Sequence, residues 1–331
     1  MKTHTIYRIW ILSFVIFILV VNGLKEHDLP ALVLNMCTGG CGIGNQMFIY
    51  ASGLGLALQN PEIPACVSGL DLTVNPLHPQ SILSFQVDLV VNASAVKPFK
   101  MCTKQTTGNA GYFWWWLLGH KITSFLGIID IFQPPHTLYE PFHFKGDKTT
   151  IIDGYLESFK YFQNVPHPIF RLKKHRAARK WMQQRGLTSV VHVRRGDKVS
   201  EGLPVAPISF YAEALKRLGS NRVAVCTDDV SWVLSQEVFQ NASVSINHSP
   251  GFDMALLAAA TDTVIIGIGT FGWWGAYLSK AKRKLFHPVQ YQGELAAGYR
   301  EEDFIPYNVP GQGEWIPVYL DHFRKAGSAF R

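Results

Sequence analysis

The chain has 331 residues, of which 47% are hydrophobic and 17% charged, so it is long enough for two packed domains and unlike a disordered or fibrous protein. Its formal net charge of +7 favours an anionic ligand. Because no long run of lysine and arginine occurs, the composition argues against a nucleic-acid surface. The cysteines lack the spacing of zinc ligands, so we expect no metal site of that kind.

The amino terminus predicts a membrane anchor or a signal peptide. Lys2 and Arg8 precede an apolar run, residues 9–21, that only Ser13 interrupts. The run is shorter than the ~20 residues of a usual membrane span and matches the ~7–15 residues of a signal-peptide core. Gly23 is a sterically suitable cleavage site, so both alternatives stay open. In either case the rest of the chain faces a lumen.

Glycosylation acceptors agree with a lumenal chain. The tripeptide Asn-X-Ser occurs at Asn92, Asn241 and Asn247, and Pro250 follows the third and weakens it.

The first predicted element is an apolar strand over residues 31–36, followed by a glycine-rich turn and a helix from Asn45 to Gln59. Glycines in the turn let backbone amides approach a bound group, and the helix presents its positive end there. No Gly-Lys-Ser/Thr follows, and no acidic residue stands about 20 residues on, so the turn is neither a P-loop nor a dinucleotide fingerprint. A purely structural strand-to-helix turn is the alternative.

The middle of the chain carries fewer signals for secondary structure. Residues 61–143 show little periodicity, whereas the stretch 149–158 predicts a strand and a turn flanked by Asp153 and Glu157. The run from Phe170 to Arg185 predicts a basic helix. We place a domain boundary near residue 180, which gives a membrane segment at 1–24, a first domain at 25–180 and a second at 181–331.

From residue 188 onward, short apolar strands alternate with helices. Strands are predicted at SVVHV, RVAVCT and TVIIGI, with helices over 209–218, around Trp232 and over 273–281. This alternation is typical of an α/β fold with a parallel sheet. Ligands bind such sheets at the carboxyl ends of the strands.

The stretch Ser189–Gly202 is the most informative at that edge, because a buried strand there ends in His192, Arg194 and Arg195. Paired guanidiniums suit a diphosphate, since arginine offers rigid paired donors that lysine lacks. The alternative is a surface ion pair of either arginine with Asp197.

Two further strand ends carry polar groups. Asp228 and Asp229 follow the strand RVAVC, where one carboxylate suits the N–H groups of a guanine and the other suits a helix cap; we assign Asp228 to guanine and Asp229 to the cap. Thr270, with the amides of Phe271 and Gly272, starts a helix and suits phosphate oxygens. Trp273, Trp274 and Tyr277 are predicted to pack in the core.

HVRRGD, residues 192–197, resembles the HxRRxD signature of fucosyltransferases that use GDP-fucose. Three more segments agree with that resemblance in order. Gly39–Leu58 is similar to the GGxGNQxFxYA segment, Asp153–Phe162 to GYxQSxKYF, and Gly267–Ser279 to STFSWWxAYL. Together they resemble the alpha-1,2-fucosyltransferase family.

The resemblance implies a GT-B-like α/β fold, in which two Rossmann-like domains face a cleft after an amino-terminal membrane anchor. It implies an inverting transfer of L-fucose from GDP-β-L-fucose to the 2-hydroxyl of a terminal galactose on a glycan acceptor. It also implies a single-pass type II protein of the Golgi membrane with a lumenal catalytic domain, and a homodimer stays open.

The resemblance assigns roles to single residues. Arg194, with His192 and Thr270, would stabilise the leaving diphosphate, and Arg195 and Asp197 would hold the arginine pair in place. Asn45 and Phe271 join the predicted site for the sugar donor. Glu157 and Asp153 are the carboxylates to test as the base that takes the acceptor proton, although Glu157 stands where the family often has glutamine. The absence of an Asp-X-Asp motif predicts no required metal or cofactor beyond GDP-fucose as substrate.

Two other functions compete with this interpretation. A core alpha-1,6 or protein O-fucosyltransferase would share HVRRGD and TDD, but we would not expect it to carry TFGWWGAYL. A catalytically silent lumenal binder of a sugar nucleotide or glycan would keep the fold, and the intact Arg194, Asp228 and Thr270 argue against it.

Overall fold

The structure is a computed structural model, and it describes residues 32–35, 42–61, 65–68, 89–91, 100–101, 130–134, 138–145, 147–166, 168–220, 222–246, 248–288, 300–307 and 309–320. The predicted membrane segment 1–24 and the acceptors Asn92 and Asn247 lie outside these ranges. Among the helices in these ranges, none has the length and apolarity that a membrane crossing requires.

A five-stranded parallel sheet forms the first half of the structure, with the strand order β4-β2-β1-β6-β5. Its strands are β1 (Leu32–Asn35), β2 (Ala65–Ser68), β4 (Lys100–Met101), β5 (Asp130–Phe132) and β6 (Thr150–Ile152). Because β1 and β6 are parallel neighbours, the segments that follow them start from the same edge of the sheet.

Helix α1 (Ile43–Gln59) starts from that edge, two residues before the predicted start at Asn45. Most of its residues are buried, because it packs against β1 on one side and against the short 3₁₀ helix Phe159–Tyr161 on another. Gly55 permits this second contact, since a Cβ there would collide with the backbone carbonyl of Tyr161.

A six-stranded parallel sheet forms the second half, with the order β10-β9-β8-β11-β12-β13. Its strands are β8 (Val190–Val193), β9 (Ala224–Thr227), β10 (Ser243–Val244), β11 (Thr263–Ile266), β12 (Arg283–Phe286) and β13 (Glu314–Pro317). Strands β8 and β11 are buried throughout, as their continuous apolar runs predict.

The remaining helices belong largely to this second half. They are α2 (His175–Gln184), α3 (Gly196–Ser200), α4 (Ile208–Leu218), α5 (Val230–Ser235), α6 (Pro250–Ala259), α7 (Thr270–Leu278) and α8 (Glu301–Phe304), with a second 3₁₀ helix at Glu237–Phe239. Helix α6 packs against both α2 and α7. The predicted α/β class with parallel sheets is therefore confirmed.

One sequence prediction was wrong in its extent. The predicted helix from Phe170 to Arg185 is a strand, β7 (Phe170–Leu172), followed by α2. The strand forms because β7 pairs antiparallel with β3 (Leu89–Val91), which lies about 80 residues earlier in the chain. Such a long-range pairing leaves no local signal in the sequence.

Aromatic packing joins the two halves. Trp273 and Trp274 of α7 are fully buried, as predicted, and both lie against Phe48 of α1, with ring centroids 4.5 and 5.1 Å apart. Phe162 stacks on Trp274 at 5.4 Å. The core is therefore continuous between α1 and α7, and the first turns of these two helices lie side by side.

Candidate active site

The first turns of α1 and α7 are joined by a direct hydrogen bond, which the Thr270 hydroxyl donates to the side-chain oxygen of Asn45. The indole N–H of Trp274 also donates to the carbonyl of Gly44, at 3.0 Å. A Cβ at Gly44 would lie 2.6 Å from the Phe271 amide nitrogen, so this close approach requires glycine. Asn45 and Thr270, which were predicted from separate motifs, therefore contact each other at the junction of the two sheets.

Helix α7 starts at Thr270, directly after Gly269 and three residues before the predicted range 273–281. The assignment of Thr270 to the helix start is confirmed. Gly269 has a φ of 91°, a backbone conformation that favours glycine. Because the first N–H groups of a helix have no intrahelical acceptor, the amides of Phe271 and Gly272 are oriented for an anion.

His192 lies at the end of β8 and packs against this helix start. Its ring stacks on Phe271 with centroids 5.4 Å apart, and a Cβ at Gly272 would lie 2.5 Å from its Nδ1. Burial, with the nearby charge of Arg194, lowers the pKa of His192 to about 3. Within the described ranges, Nδ1 is buried without a hydrogen-bond partner. His192 is therefore a neutral side chain whose ring holds Phe271.

The side chain of Arg194 lies between two carboxylates. It forms ion pairs with Asp197, three residues on, and with Asp228, which follows β9. Arg195 and Asp197 were expected to hold the arginine pair in place, and the structure pairs Asp197 with Arg194 itself, because α3 starts at Gly196 and carries Asp197 beside Arg194. The side chain remains 24% exposed.

Arg195 points instead to α5. Its Nε donates to Asp229 at 3.1 Å, and its guanidinium lies 3.9 Å from the centre of the Trp232 ring. Asp229 in turn caps α5 by accepting from the Trp232 amide at 3.1 Å, so the predicted cap is confirmed. These contacts fit a supporting role for Arg195, through a partner that the sequence did not predict.

Asp228 is already engaged by the protein. One carboxylate oxygen accepts the backbone N–H groups of Arg195 and Gly196, at 2.8 and 3.1 Å, and the other pairs with Arg194. A Cβ at Gly196 would lie 2.7 Å from this carboxylate, so the contact requires glycine. Asp228 therefore orients Arg194 and closes the turn after β8.

Asp153 and Glu157 follow β6 of the first sheet, whereas Arg194 and Thr270 follow β8 and β11 of the second. Asp153 follows β6 directly and is half-buried, so it starts from the same edge as the segment leading to α1. Glu157 is only 3% exposed. Burial first, and the charge of Glu157 second, raise the pKa of neighbouring Tyr155. Asp153 is thus the more accessible carboxylate of this turn.

Asp253 was not predicted from the sequence. It lies in the first turn of α6, accepts a 2.5 Å hydrogen bond from the Ser245 hydroxyl, and burial raises its pKa to about 6. The Cys226 thiol of β9 contacts its backbone carbonyl at 3.6 Å. A single carboxylate inside the apolar run GFDMALLAAA is the signal that could have found it.

Two other expectations concern the surface and metals. Asn241 is exposed, as a glycosylation acceptor must be. In the part of the chain that the structure describes, no three His, Cys, Asp or Glu side chains are grouped closely enough to hold a metal ion.

Comparison with known proteins matches the segment that carries the second-sheet part of this site. Residues 157–305 match the model of glycosyl transferase family 11. A galactoside 2-alpha-L-fucosyltransferase of Caenorhabditis elegans is 26% identical over 189 residues, which are 50% of this chain and 53% of that protein. A galactoside alpha-(1,2)-fucosyltransferase 2 of Mus musculus is 38% identical over 106 residues, 27% of this chain and 29% of that protein.

The chain spans about half the length of the Caenorhabditis relatives that it matches. Among solved structures, the NodZ alpha-1,6-fucosyltransferase co-crystallized with GDP is 14% identical, with a TM-score of 0.46, over 76% of this chain and 93% of that one.

The matched segment contains the arginine pair, Asp228, Asp253 and the start of α7, so these residues lie in the part of the chain that is similar to glycosyl transferase family 11 and to galactoside 2-alpha-L-fucosyltransferases.

Proposed function

We propose that the protein transfers L-fucose from GDP-β-L-fucose to the 2-hydroxyl of a terminal β-galactoside, with inversion to the alpha linkage. One observation carries the proposal. The Asn45–Thr270 hydrogen bond brings two helix N-termini together, and Arg194 follows β8, the strand next to the one that leads to α7. Thr270 and Arg194 both lie in the segment that matches the model of family 11. Two positive helix ends and a guanidinium form a site for a diphosphate between two sheets.

Arg194 and the α7 amides would hold the diphosphate as it leaves the sugar. A guanidinium has five N–H groups, and Asp197 and Asp228 each engage one of its terminal nitrogens, so donors remain for phosphate oxygens. The two carboxylates fix the direction of the side chain before the sugar donor arrives. Charge that develops on the diphosphate then meets oriented donors, which is the effective form of electrostatic catalysis.

A carboxylate should recognise the guanine through its N1–H and N2–H groups. Asp228, our sequence-based choice, already accepts two backbone amides and Arg194. Asp253 is a second candidate, because it lies just beyond the carboxyl ends of β9 and β10 and the structure gives it hydroxyl and thiol neighbours rather than a cation. Burial raises the pKa of Asp253 to about 6, which means that the protein stabilises its charged form poorly. The N–H donors of a ligand would stabilise that charged form.

The acceptor galactoside would lie on the side of the first sheet. This arrangement corresponds to a GT-B-like fold, with residues up to about 180 serving the acceptor and residues 181–331 the sugar donor. Asp153 is the more accessible candidate for the base that takes the acceptor proton, and Glu157 is the buried one. A dissociative transition state lowers the demand for a strong base, and we expect the diphosphate contacts to contribute more.

We also propose that the protein works in the Golgi lumen as a single-pass type II membrane protein. The apolar run 9–21, preceded by Lys2 and Arg8, and the exposed acceptor Asn241 support this location. A cleaved signal peptide is the alternative, and Leu24 as the first residue of the mature protein would establish it. A homodimer stays a prediction.

A panel of substrates tests the proposed function. The full-length protein in detergent is incubated with GDP-fucose, GDP-mannose or UDP-galactose and with galactosides of different linkage. We expect transfer from GDP-fucose alone. Transfer from another sugar nucleotide, or binding of GDP-fucose without turnover, would contradict the proposal.

A further inference from the structure

A short segment near the carboxyl end, Arg300–Phe304, lies against the turn that carries Asp153 and Glu157. Helix α8 of this segment packs on the 3₁₀ helix Phe159–Tyr161, which continues directly from that turn.

Asp303 is the centre of these contacts and is fully buried. Its carboxylate accepts a hydrogen bond from Lys160 Nζ at 2.5 Å, from the Tyr139 amide at 3.0 Å and from Arg300 Nε at 2.9 Å. Its backbone carbonyl accepts from the Ser158 hydroxyl at 2.6 Å. A buried carboxylate with two cations and an amide is strongly held, so Asp303 fixes residues 158 and 160 in place.

The turn that Asp303 holds is strained. Leu156 has a φ of 45°, and in the described part of the chain it is the one residue other than glycine with a positive φ. Its carbonyl accepts a buried hydrogen bond from Ser52 of α1 at 3.0 Å. Backbone strain of this kind persists only when the surroundings hold it, and it is concentrated at functional sites. Ser52 holds the turn from one side and Asp303 from the other.

The next residue connects the same segment to the side of the sugar donor. The Phe304 carbonyl accepts a hydrogen bond from the Trp273 indole at 3.0 Å. The centre of the Phe304 ring lies 5.9 Å from that of Phe48 of α1. Trp273 belongs to α7, the helix whose first residue is Thr270. Asp303 and Phe304 therefore connect the turn that follows β6 of the first sheet to helix α7 of the second half.

We propose that Asp303 is a positioning residue that sets the place of the Asp153–Glu157 turn relative to the start of α7. The inference rests on the proposed function, because that function makes the turn the side of the galactoside acceptor. Asp303 is fully buried, and we assign it no direct contact with either substrate. It acts through Lys160, Tyr139 and, by its backbone, Ser158.

The variant Asp303→Asn keeps the size of the side chain and removes its charge, and Asp262→Asn is the matched control. Asp262 also pairs with an arginine, Arg283 at 3.3 Å, but it lies at the amino end of β11, the opposite edge of the second sheet. A second pair of variants is Lys160→Gln and Arg300→Gln. Both remove one cation from the same carboxylate, but only Lys160 belongs to the turn.

Amide hydrogen exchange of residues 154–162 in the full-length protein measures how firmly Asp303 holds this turn, and it needs no assay of activity. We expect faster exchange there in Asp303→Asn and Lys160→Gln, and exchange like that of the unmodified protein in Asp262→Asn and Arg300→Gln. In fucose transfer, Asp303→Asn should lower kcat/KM for the galactoside at least about tenfold, because small misplacements of a reacting group are costly. The Kd for GDP should change by less than about twofold, since the GDP contacts lie elsewhere.

Unchanged exchange at 154–162 in Asp303→Asn would overturn the inference, whatever the kinetics. An equal loss of GDP affinity and galactoside turnover would also overturn it, because it would indicate general destabilisation. If the unmodified protein transfers no fucose, the proposed function fails by itself, and the exchange measurement still decides whether Asp303 holds the turn.

Discussion

Thr270 donates a hydrogen bond to Asn45 across the junction of the two sheets, although 225 positions separate the two residues in the chain. Each residue stands at the start of a helix that follows the carboxyl end of a parallel strand. The bond therefore places two helix N-termini, the natural anion sites of the fold, at one point.

This relationship predicts coupled effects on binding of the sugar donor. Asn45→Ala and Thr270→Val should each weaken GDP binding, because each releases one helix start from the other. In the double variant the losses should be less than additive, with a coupling energy of about 0.5–1.5 kcal/mol, measured by titration calorimetry with GDP. Thr263→Val is the control, since its hydroxyl hydrogen-bonds to Asp262 at the opposite edge. Fully additive losses would show that the bond does not shape the site.

The two arginines should behave differently on substitution with lysine. Arg194→Lys keeps the charge between Asp197 and Asp228 but loses paired donors, so turnover should fall by about a hundredfold to a thousandfold with little change in Tm. Arg195→Lys loses the stacking on Trp232 and should lower stability by roughly 1 kcal/mol with turnover near normal. Turnover and Tm of both variants check this. A folded but inactive Arg195→Lys beside an active Arg194→Lys would reverse the assignment.

Asp253→Asn should separate stability from binding. Burial raises the pKa of Asp253 to about 6, so the folded state retains a proton that the unfolded chain releases near the ordinary value of 3.8. Its contribution to stability is therefore full below about pH 4 and is lost as the pH rises through 6. The variant should gain stability relative to the unmodified protein across that window, by at most about 3 kcal/mol.

The same variant should bind GDP more weakly at pH 7 if the ionised carboxylate reads the guanine. Thermal melts between pH 4 and 7, together with GDP titrations, measure both effects. If Asp253→Asn binds GDP normally, Asp228 rather than Asp253 recognises the guanine. If its stability does not rise relative to the unmodified protein, the burial argument is contradicted.

The contribution of His192 to stability should have the opposite dependence on pH. Its pKa is lowered to about 3 by burial and by Arg194, so its contribution is present above the unfolded value of 6.5 and is lost as the pH falls. Relative to His192→Gln, the unmodified protein should lose about 2 kcal/mol of stability between pH 6.5 and 5. Denaturant unfolding at both pH values measures this. Parallel stability curves for the two proteins would mean that His192 is protonated in the fold.

Activity should persist in EDTA, because no Asp-X-Asp motif occurs and the proposed site relies on Arg194 and helix amides for the leaving diphosphate. The measurement is the initial rate of transfer after dialysis against the chelator. Loss of turnover that manganese restores would show that a divalent cation shares this task.

Much of the second sheet was predictable because its signals are local. Apolar runs such as SVVHV end at polar residues, and the cap at Asp229 follows from the residue type alone. The family motifs also coincide with the strand ends that form the site. The assignment of Asn45 and Thr270 to one site came from the resemblance, and only the structure shows them in contact.

The errors arise where tertiary contacts decide. Phe170–Leu172 is a strand because it pairs with β3, and nothing in the basic run that follows indicates that partner. The partner of Asp197 depends on where α3 begins, since a helix start at Gly196 puts Arg194 rather than Arg195 beside it. Asp303 looks like an ordinary surface acid in the sequence, and only its buried contacts show otherwise.

The linkage of the product tests the central claim most directly. The full-length protein is incubated with GDP-fucose and a β-galactoside, and the position and anomeric form of the new bond are determined by NMR, with Arg194→Lys as the control. We expect fucose in alpha linkage on the 2-hydroxyl of galactose, and greatly reduced product with the variant. Fucose on another hydroxyl or on another sugar, or equal product from Arg194→Lys, would contradict the account.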